Sequence, residues 1–299
     1  MKKIIDRLLA ATVHPEQLIL KEWIGLSNFN INLSSPKGAQ SKRRLCLFSH
    51  YDPDGKIDDY VTFYVQSLHK LGADIIFIST SENLVESEIE KVLPFCIHLI
   101  HRKNISLDFG SWKIGWMRAN SMFGLINNYD QLILANDSVY GPFFPISEIF
   151  STMESRELEM WGMSSNQEIS YHLQSFFLVF EKTALRSEAL NQFWNEFLFY
   201  RSKSRIIQEY ELGLTELAKA KNWKTGAYVE CDESHPLGMN STLFSWDKLI
   251  EQDRFPFLKT EVLKLNRAKS PRISEWANIL KIQSSYPTEL VQHHLDRVL

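Results

Sequence analysis

Four short stretches and one basic run hold the residues that could do chemistry. The first, His101-Arg102-Lys103-Asn104-Ile105-Ser106-Leu107-Asp108-Phe109-Gly110, pairs a His-Arg with an Asp-Phe-Gly, as phosphoryl-transfer sites on kinases do. That chemistry needs an Asp directly after His-Arg to take the substrate proton and an Asn five residues on for a second Mg²⁺. Lys103 stands where that Asp is required, and Asp108 follows too closely for the intervening strands, so the kinase reading fails. Asp108-Phe109-Gly110-Ser111 instead reads as a tight turn opening a helix. Free amides there, with Ser111 and Lys113, could face an anion. Equally, Asp108 could cap the helix while Phe109 and Trp112 fill the core.

The second stretch is Asn136-Asp137-Ser138, directly after the apolar Leu132-Ile133-Leu134-Ala135. A carboxylate just past a buried strand can hold a divalent cation against a diphosphate, or it can cap turn amides. The triplet has one acid, so Mg²⁺ or Mn²⁺ at Asp137 stays open. The third is Tyr171-His172-Leu173-Gln174, where strand alternation would put His172 and Gln174 on one face. The fourth is Tyr210-Glu211-Leu212-Gly213. Glu211, set between apolar neighbours, could be a half-buried carboxylate with a raised pKa acting as a base, and Glu230 and Asp232 compete for that role. Residues 256–272 carry Lys259, Lys264, Arg267, Lys269 and Arg272 against Glu261 alone. They read either as an exposed face or as a contact for acidic head groups or a phosphate-bearing substrate.

These residues need positioning, and the pattern between them supplies it. Residues 43–52, 73–80, 95–102 and 129–137 read as buried strands, and helical spacing fills the gaps. Val61, Tyr64, Val65, Leu68 and Leu71 recur as a helix between Asp58 and Gly72. Alternating strands and helices with short connections predict an α/β fold: a single sheet, mostly parallel, with helices on both faces. Ligands bind beyond the carboxyl ends of such strands. Those ends carry His50, Tyr51 and Asp52; Ser79 and Thr80; Asn104 and Asp108; and Asn136, Asp137 and Ser138. Further on, 159–165 and 172–180 read as strands, 183–221 as mainly helical, and 226–235 as strand and loop. The division expected is residues 1–43 as an N-terminal helical segment and loop, 44–270 as the main domain, and 271–299 as a helical C-terminal extension.

Composition removes other classes. With 33 basic and 36 acidic residues the net charge is −3, so no global field favours nucleic acid. Cys46, Cys96 and Cys231 are widely spaced, without CxxC, and read as reduced thiols of a cytoplasmic protein. No apolar run approaches the roughly 20 residues of a membrane span. Asp6 and Arg7 interrupt what would be a signal-peptide core. Ile4, Ile5, Leu8 and Leu9 share one helical face, which packs on its own domain or lies on a membrane surface. A nucleophile elbow, a Walker loop and a GxGxxG are all missing from the sequence.

Taken in order, HYD (50–52), RxNxxxDFGSWK (102–113), YDQLILANDSVYGPF (129–143), HLQSFFLVF (172–180), YELGLT (210–215) and W-x(2)-LI…FPFLK (246–259) resemble the rhamnan synthesis F family, over roughly residues 44–267. These are glycosyltransferase-like proteins of bacterial cell-surface polysaccharide assembly. The resemblance implies a GT-A-like fold and transfer of a sugar, typically rhamnose, from a nucleotide-diphosphate donor to a growing or lipid-linked glycan. It implies a place in the cytoplasm, or at the cytoplasmic face of the inner membrane. In that fold the fourth strand usually ends in a metal-binding DxD, which falls here on Asn136-Asp137-Ser138. The expected roles follow: His50, Asp52, Ser79 and Thr80 around base and ribose; Asn104, Gly110, Ser111, Lys113, Asn136, Asp137 and Ser138 around diphosphate and sugar, with Gln174 as a further donor contact; Asp108 shaping the turn or bonding the sugar; Glu211 as the base, with His172 and Asp108 as the other catalytic residues.

Overall fold

The computed structural model describes residues 2–27, 42–231, 240–267 and 269–299. Most of the loop expected at the end of segment 1–43, and Asp232, lie outside them. Eleven strands are described: β1 Ile19–Ile24, β2 Arg44–His50, β3 Ala73–Ser79, β4 His98–Arg102, β5 Gln131–Asn136, β6 Val139–Tyr140, β7 Met160–Asn166, β8 His172–Leu173, β9 Phe177–Glu181, β10 Thr225–Val229 and β11 Leu258–Lys259. Nine of them form one sheet in the order β1-β4-β3-β2-β5-β9-β7-β10, with β8 beside β7, while β6 and β11 pair separately. The run β4-β3-β2-β5 is parallel. Beyond it the sheet is mixed, because β9 runs antiparallel to both β5 and β7. Its edge strand β1, antiparallel to β4, comes from the segment expected to be helix and loop.

Alternation along the central strands builds two cores. Cys46 and Phe48 of β2, Ile75 and Phe77 of β3, and Ile133 and Ala135 of β5 face one side. Leu45 and Leu47, Ile76 and Ile78, and Leu132 and Leu134 face the other. The first side is covered by Tyr60, Val61, Tyr64, Val65 and Leu68 of the Asp59–Lys70 helix, and by the C-terminal helices through Trp276, Leu280, Val291 and Leu295. The second is covered by Phe109, Trp112, Trp116 and Ala119 of the Leu107–Phe123 helix. Each large apolar side chain so buried contributes about 1.5–3 kcal/mol. Gly115 lets this helix close on the sheet, since a Cβ there would stand 3.0 Å from Ile78 Cδ1 and Leu47 Cδ2.

Two expectations change. The run His172–Phe180 is not one regular strand. Between the pairs Leu173–Ser165 and Leu178–Gly162 it takes five steps (173 to 178) where β7 takes three (165 to 162). The extra residues fall at Gln174–Phe176, where the chain must leave β7 alone and enter between β7 and β5, so His172 and Gln174 lose their common strand face. The N-terminal helix Lys2–Ala11 does not bury its apolar stripe: Ile4, Ile5, Leu8 and Leu9 are 49–65% exposed, and Ala10 is buried. Among the described residues no helix is long and apolar enough to cross a membrane.

Candidate active site at the carboxyl rim of the sheet

Register brings the four parallel strands to a common edge. Ser49 lies opposite Asn136, His50 opposite Ser79, and Ser79 opposite His101. The polar residues after each strand therefore converge. A cavity of about 860 Å³ opens there, lined by His50, Tyr51, Asp52, Thr80, Asn104, Asp108, Asp137 and Ser138 from the rim. Its outer wall comes from elsewhere: Lys203, Thr260 and Lys264, with His294, Val298 and Leu299 of the last helix.

Asp108 is built into this wall by a chain of necessity. Arg102, fully buried at the end of β4, donates through Nη1 to the carbonyls of Lys103 (2.8 Å) and Ile105 (2.9 Å), through Nη2 to that of Leu107 (2.6 Å), and through Nε and Nη2 to Ser111 Oγ (3.2 and 3.1 Å). These bonds fold residues 103–107 into a turn that leaves Ser106 and Leu107 left-handed, at φ 66° and 49°, a conformation that costs an L residue about 1–2 kcal/mol. The turn also needs Gly110, because a Cβ there would meet Ile105 O at 2.2 Å and Arg102 Nη2 at 2.8 Å. Asp108 then sits in the first turn of the helix. Its Oδ1 accepts from Ser49 Oγ (2.8 Å) and its Oδ2 from Asn136 Nδ2 (3.0 Å). Burial raises its pKa above the ordinary carboxylate range, against those two hydrogen bonds and Arg102, and Glu211 adds to the rise. Burial in turn lowers the Arg102 guanidinium to about 9.

Next to it, the Asp137 carboxyl accepts the Tyr51 N–H through Oδ2 (2.9 Å), and its backbone carbonyl accepts Tyr60 OH (3.1 Å). Burial raises its pKa well above the usual value. Asn136 Oδ1 accepts both the N–H and the Oγ of Ser138 (3.1 and 2.6 Å). His50 is buried between Ser79 Oγ (3.0 Å) and the Lys56 carbonyl (3.1 Å), and burial lowers its pKa to about 4, so it is neutral near pH 7. Asp52 and Asp58 line the cavity and are paired with Arg297, whose Nη2 is 2.6 Å from each, while its Nη1 holds Asp54 at 3.0 Å.

Several expected site residues stand elsewhere. Gly110 and Ser111 lie inside the helix, the Gly110 N–H donating to Ser106 O and the fully buried Ser111 Oγ accepting from Arg102, and neither residue lines the cavity. Lys113 turns into the core, where its ammonium donates to Trp194 O at 2.7 Å. A helix that starts at Leu107, earlier than expected, carries all three past the rim. Ser79 is fully buried beneath His50. His172 Nδ1 pairs with Ser170 O, and Gln174 Oε1 accepts from Ser164 Oγ and Thr242 Oγ1; both residues are buried away from the cavity. Glu230 is taken up by Ser165 Oγ, Tyr171 OH and the Ala227 N–H. Glu211 lies in a π-turn, Ile207–Glu211, and its Oε1 accepts the N–H and Oγ of Ser175 (3.1 and 2.8 Å), the point where the strand run is interrupted. Its charge acts on Asp108 and favours the Lys259 ammonium, but it is not part of the cavity wall. Within the basic run, Arg272 is paired with Asp247, Glu251 and Glu275, whereas Lys264 faces the cavity. Sequence reasoning missed Lys203 and the Arg297 clamp; a lone Lys or Arg on an exposed helix carries no signal that distinguishes it from its neighbours.

A metal fits this rim poorly. Among the described residues no three His, Cys, Asp or Glu side chains are grouped to hold one. One Asp137 oxygen, both Asp108 oxygens and the Asn136 oxygen already accept hydrogen bonds within the protein. The charge of Lys264 also acts on Asp137, where a cation would have to sit.

Comparison with known proteins gives the following. The chain is 23% identical over 286 residues to virulence protein VirA of Vibrio anguillarum, an alignment covering 84% of this chain and 89% of that one. Among solved structures, a cytidylyltransferase from Leptospira borgpetersenii aligns with a TM-score of 0.38 at 13% identity, over 83% of this chain and all of that one. Core-mannan synthase A of Aspergillus fumigatus, in its Mn/GDP form, aligns with a TM-score of 0.35 at 11% identity, over 64% of this chain and 74% of that one. The model of the rhamnan synthesis protein F family matches residues 75–299, so it includes the C-terminal helices that close the cavity and begins after β2. With a match over that span, this chain belongs to the rhamnan synthesis protein F family.

Proposed function

We propose that this protein is a glycosyltransferase of GT-A type. It moves a sugar, rhamnose or a related deoxyhexose, from a nucleoside-diphosphate donor in the rim cavity to a hydroxyl of a growing or lipid-linked cell-surface glycan. The observation that supports this most is the position of a raised-pKa carboxylate, Asp108, in the wall of a polar cavity at the carboxyl ends of parallel strands. Asp108 takes the acceptor proton as the acceptor oxygen attacks the anomeric carbon. The bond from that carbon to the diphosphate oxygen breaks, and its electron pair leaves on the diphosphate. We give the role of base to Asp108 in place of Glu211, because Asp108 lines the cavity and Glu211 does not. Incubation with a panel of nucleotide-sugars and a glycan acceptor should release a nucleoside diphosphate. Release of a monophosphate would mark a sugar-phosphate transferase, and binding without turnover a glycan-assembly subunit.

The exposed Ile4, Ile5, Leu8 and Leu9 face is where we place contact with the membrane that presents a lipid-linked acceptor. Their helix lines a hollow together with Arg201, Ser202 and Arg205, which flank the cavity residue Lys203. Co-sedimentation with anionic vesicles should therefore be lost in an Ile5→Asp/Leu8→Asp variant. Equal sedimentation of that variant would place the contact elsewhere.

A further inference from the structure

Breaking the donor bond leaves one more negative charge on the diphosphate, and something must balance it. The carboxylates at the rim already accept internal hydrogen bonds and do not form a metal cage. Arg297 is taken up by the acids Asp52, Asp54 and Asp58, so it is not free to meet a phosphate. Two ammonium groups stand uncommitted by comparison. Lys203, from the helix Lys203–Ile206, and Lys264, from the helix Thr260–Leu265, both line the cavity, and neither forms an ion pair with a carboxylate among the described residues. Other cations of the same basic run do not serve: Arg272 is paired with three acids, and the Lys259 ammonium lies 5.3 Å over the Phe176 ring.

We infer that Lys203 and Lys264, brought to one cavity from helices sixty residues apart in sequence, hold the donor's diphosphate and carry its counter-charge in place of a divalent metal ion. This rests on the transferase reading above and goes further, in assigning the groups that stabilise the leaving diphosphate. Each ammonium donates hydrogen bonds to phosphate oxygens, contacts that are about twice as strong as neutral ones. Neither step nor geometry requires a further reactant: the electron pair of the broken bond stays on the diphosphate, next to the two lysines. Because both side chains are at least partly exposed, they can be changed without emptying the core.

The test is calorimetric titration of the intact protein with UDP, GDP, CDP and dTDP and the matching monophosphates, first in EDTA and then in Mn²⁺. In EDTA one diphosphate should bind at least about tenfold more tightly than its monophosphate, the gain expected of one charged hydrogen bond. Mn²⁺ should change that by less than about threefold. Lys203→Gln and Lys264→Gln should each abolish most of the preference for diphosphate, with an unchanged melting temperature. Diphosphate binding that needs Mn²⁺, or that both variants retain, overturns the inference and leaves the transferase reading standing. Absence of nucleotide binding in either buffer overturns both.

Discussion

Asp108→Asn should reduce glycosyl transfer by about 10²- to 10⁴-fold, the usual contribution of a positioned general base, and leave the fold intact. Asparagine is nearly isosteric with aspartate. Its amide oxygen can still accept from Asn136, and its NH₂ can donate to Ser49 Oγ. The variant also removes a desolvated charge. Because burial raises the Asp108 pKa on folding, the folded state holds that proton more tightly than the unfolded chain does. The stabilisation this linkage gives is complete at low pH and is lost as pH rises through the folded-state pKa. Above that pH, Asp108→Asn should therefore melt no lower than the wild type. The wild-type rate should fall as pH drops through the same pKa, because the base must be ionised, and this limb should lie above the ordinary carboxylate range. Glu211→Gln is the control. Its carboxylate accepts from Ser175 outside the cavity wall, so turnover should stay within about tenfold of wild type. Reversed losses in the two variants would return the role of base to Glu211.

Arg102→Lys should cost about 3 kcal/mol or more of stability. The guanidinium is fully buried and holds three carbonyls and one hydroxyl at once. An ammonium has three donors on a point charge that ends one bond short of the guanidinium nitrogens, and it cannot reproduce that fork. At least one buried carbonyl loses its partner, at about 1–3 kcal/mol. The left-handed Ser106 and Leu107 lose the bonds that hold them, and a strongly hydrated charge is left in the core. Since the same turn sets the entry of the Asp108 helix, activity should fall with stability. Urea unfolding reads this as a lower midpoint at unchanged slope. A loss under about 1 kcal/mol would show that the turn holds without the arginine.

The sheet was legible because its period is simple. Leu45 to Phe48, Ile75 to Ile78 and Leu132 to Ala135 are unbroken apolar runs, as strands buried on both faces must be, and each ends in polar residues. That pattern located His50, Thr80, Asn104, Asp108, Asp137 and Ser138 at one rim. What sequence could not give was the direction of side chains inside helices and the partners brought from far away. Lys113 looked like an anion donor beside Gly110 and Ser111, yet two further helical residues rotate it towards Trp194. His172 and Gln174 lost their shared face to an irregularity that depends on β9 entering between two other strands. The outer wall depends on Lys203 and the C-terminal helix, whose Arg297 reaches Asp52 across 245 residues. Such pairings follow from tertiary packing, and local pattern holds no trace of them.

The most direct measurement is to locate a bound nucleoside diphosphate on the protein, by crystallography of the complex or by amide shifts on titration. The account predicts a ligand at the strand ends, with its diphosphate between Lys203 and Lys264 and its terminal phosphate on the side of Asp108, perturbing Tyr51, Thr80, Asn104 and Ser138. A ligand found instead in another hollow, such as the one lined by Phe63, Pro142, Phe144 and Tyr286, with the rim unperturbed, would contradict it.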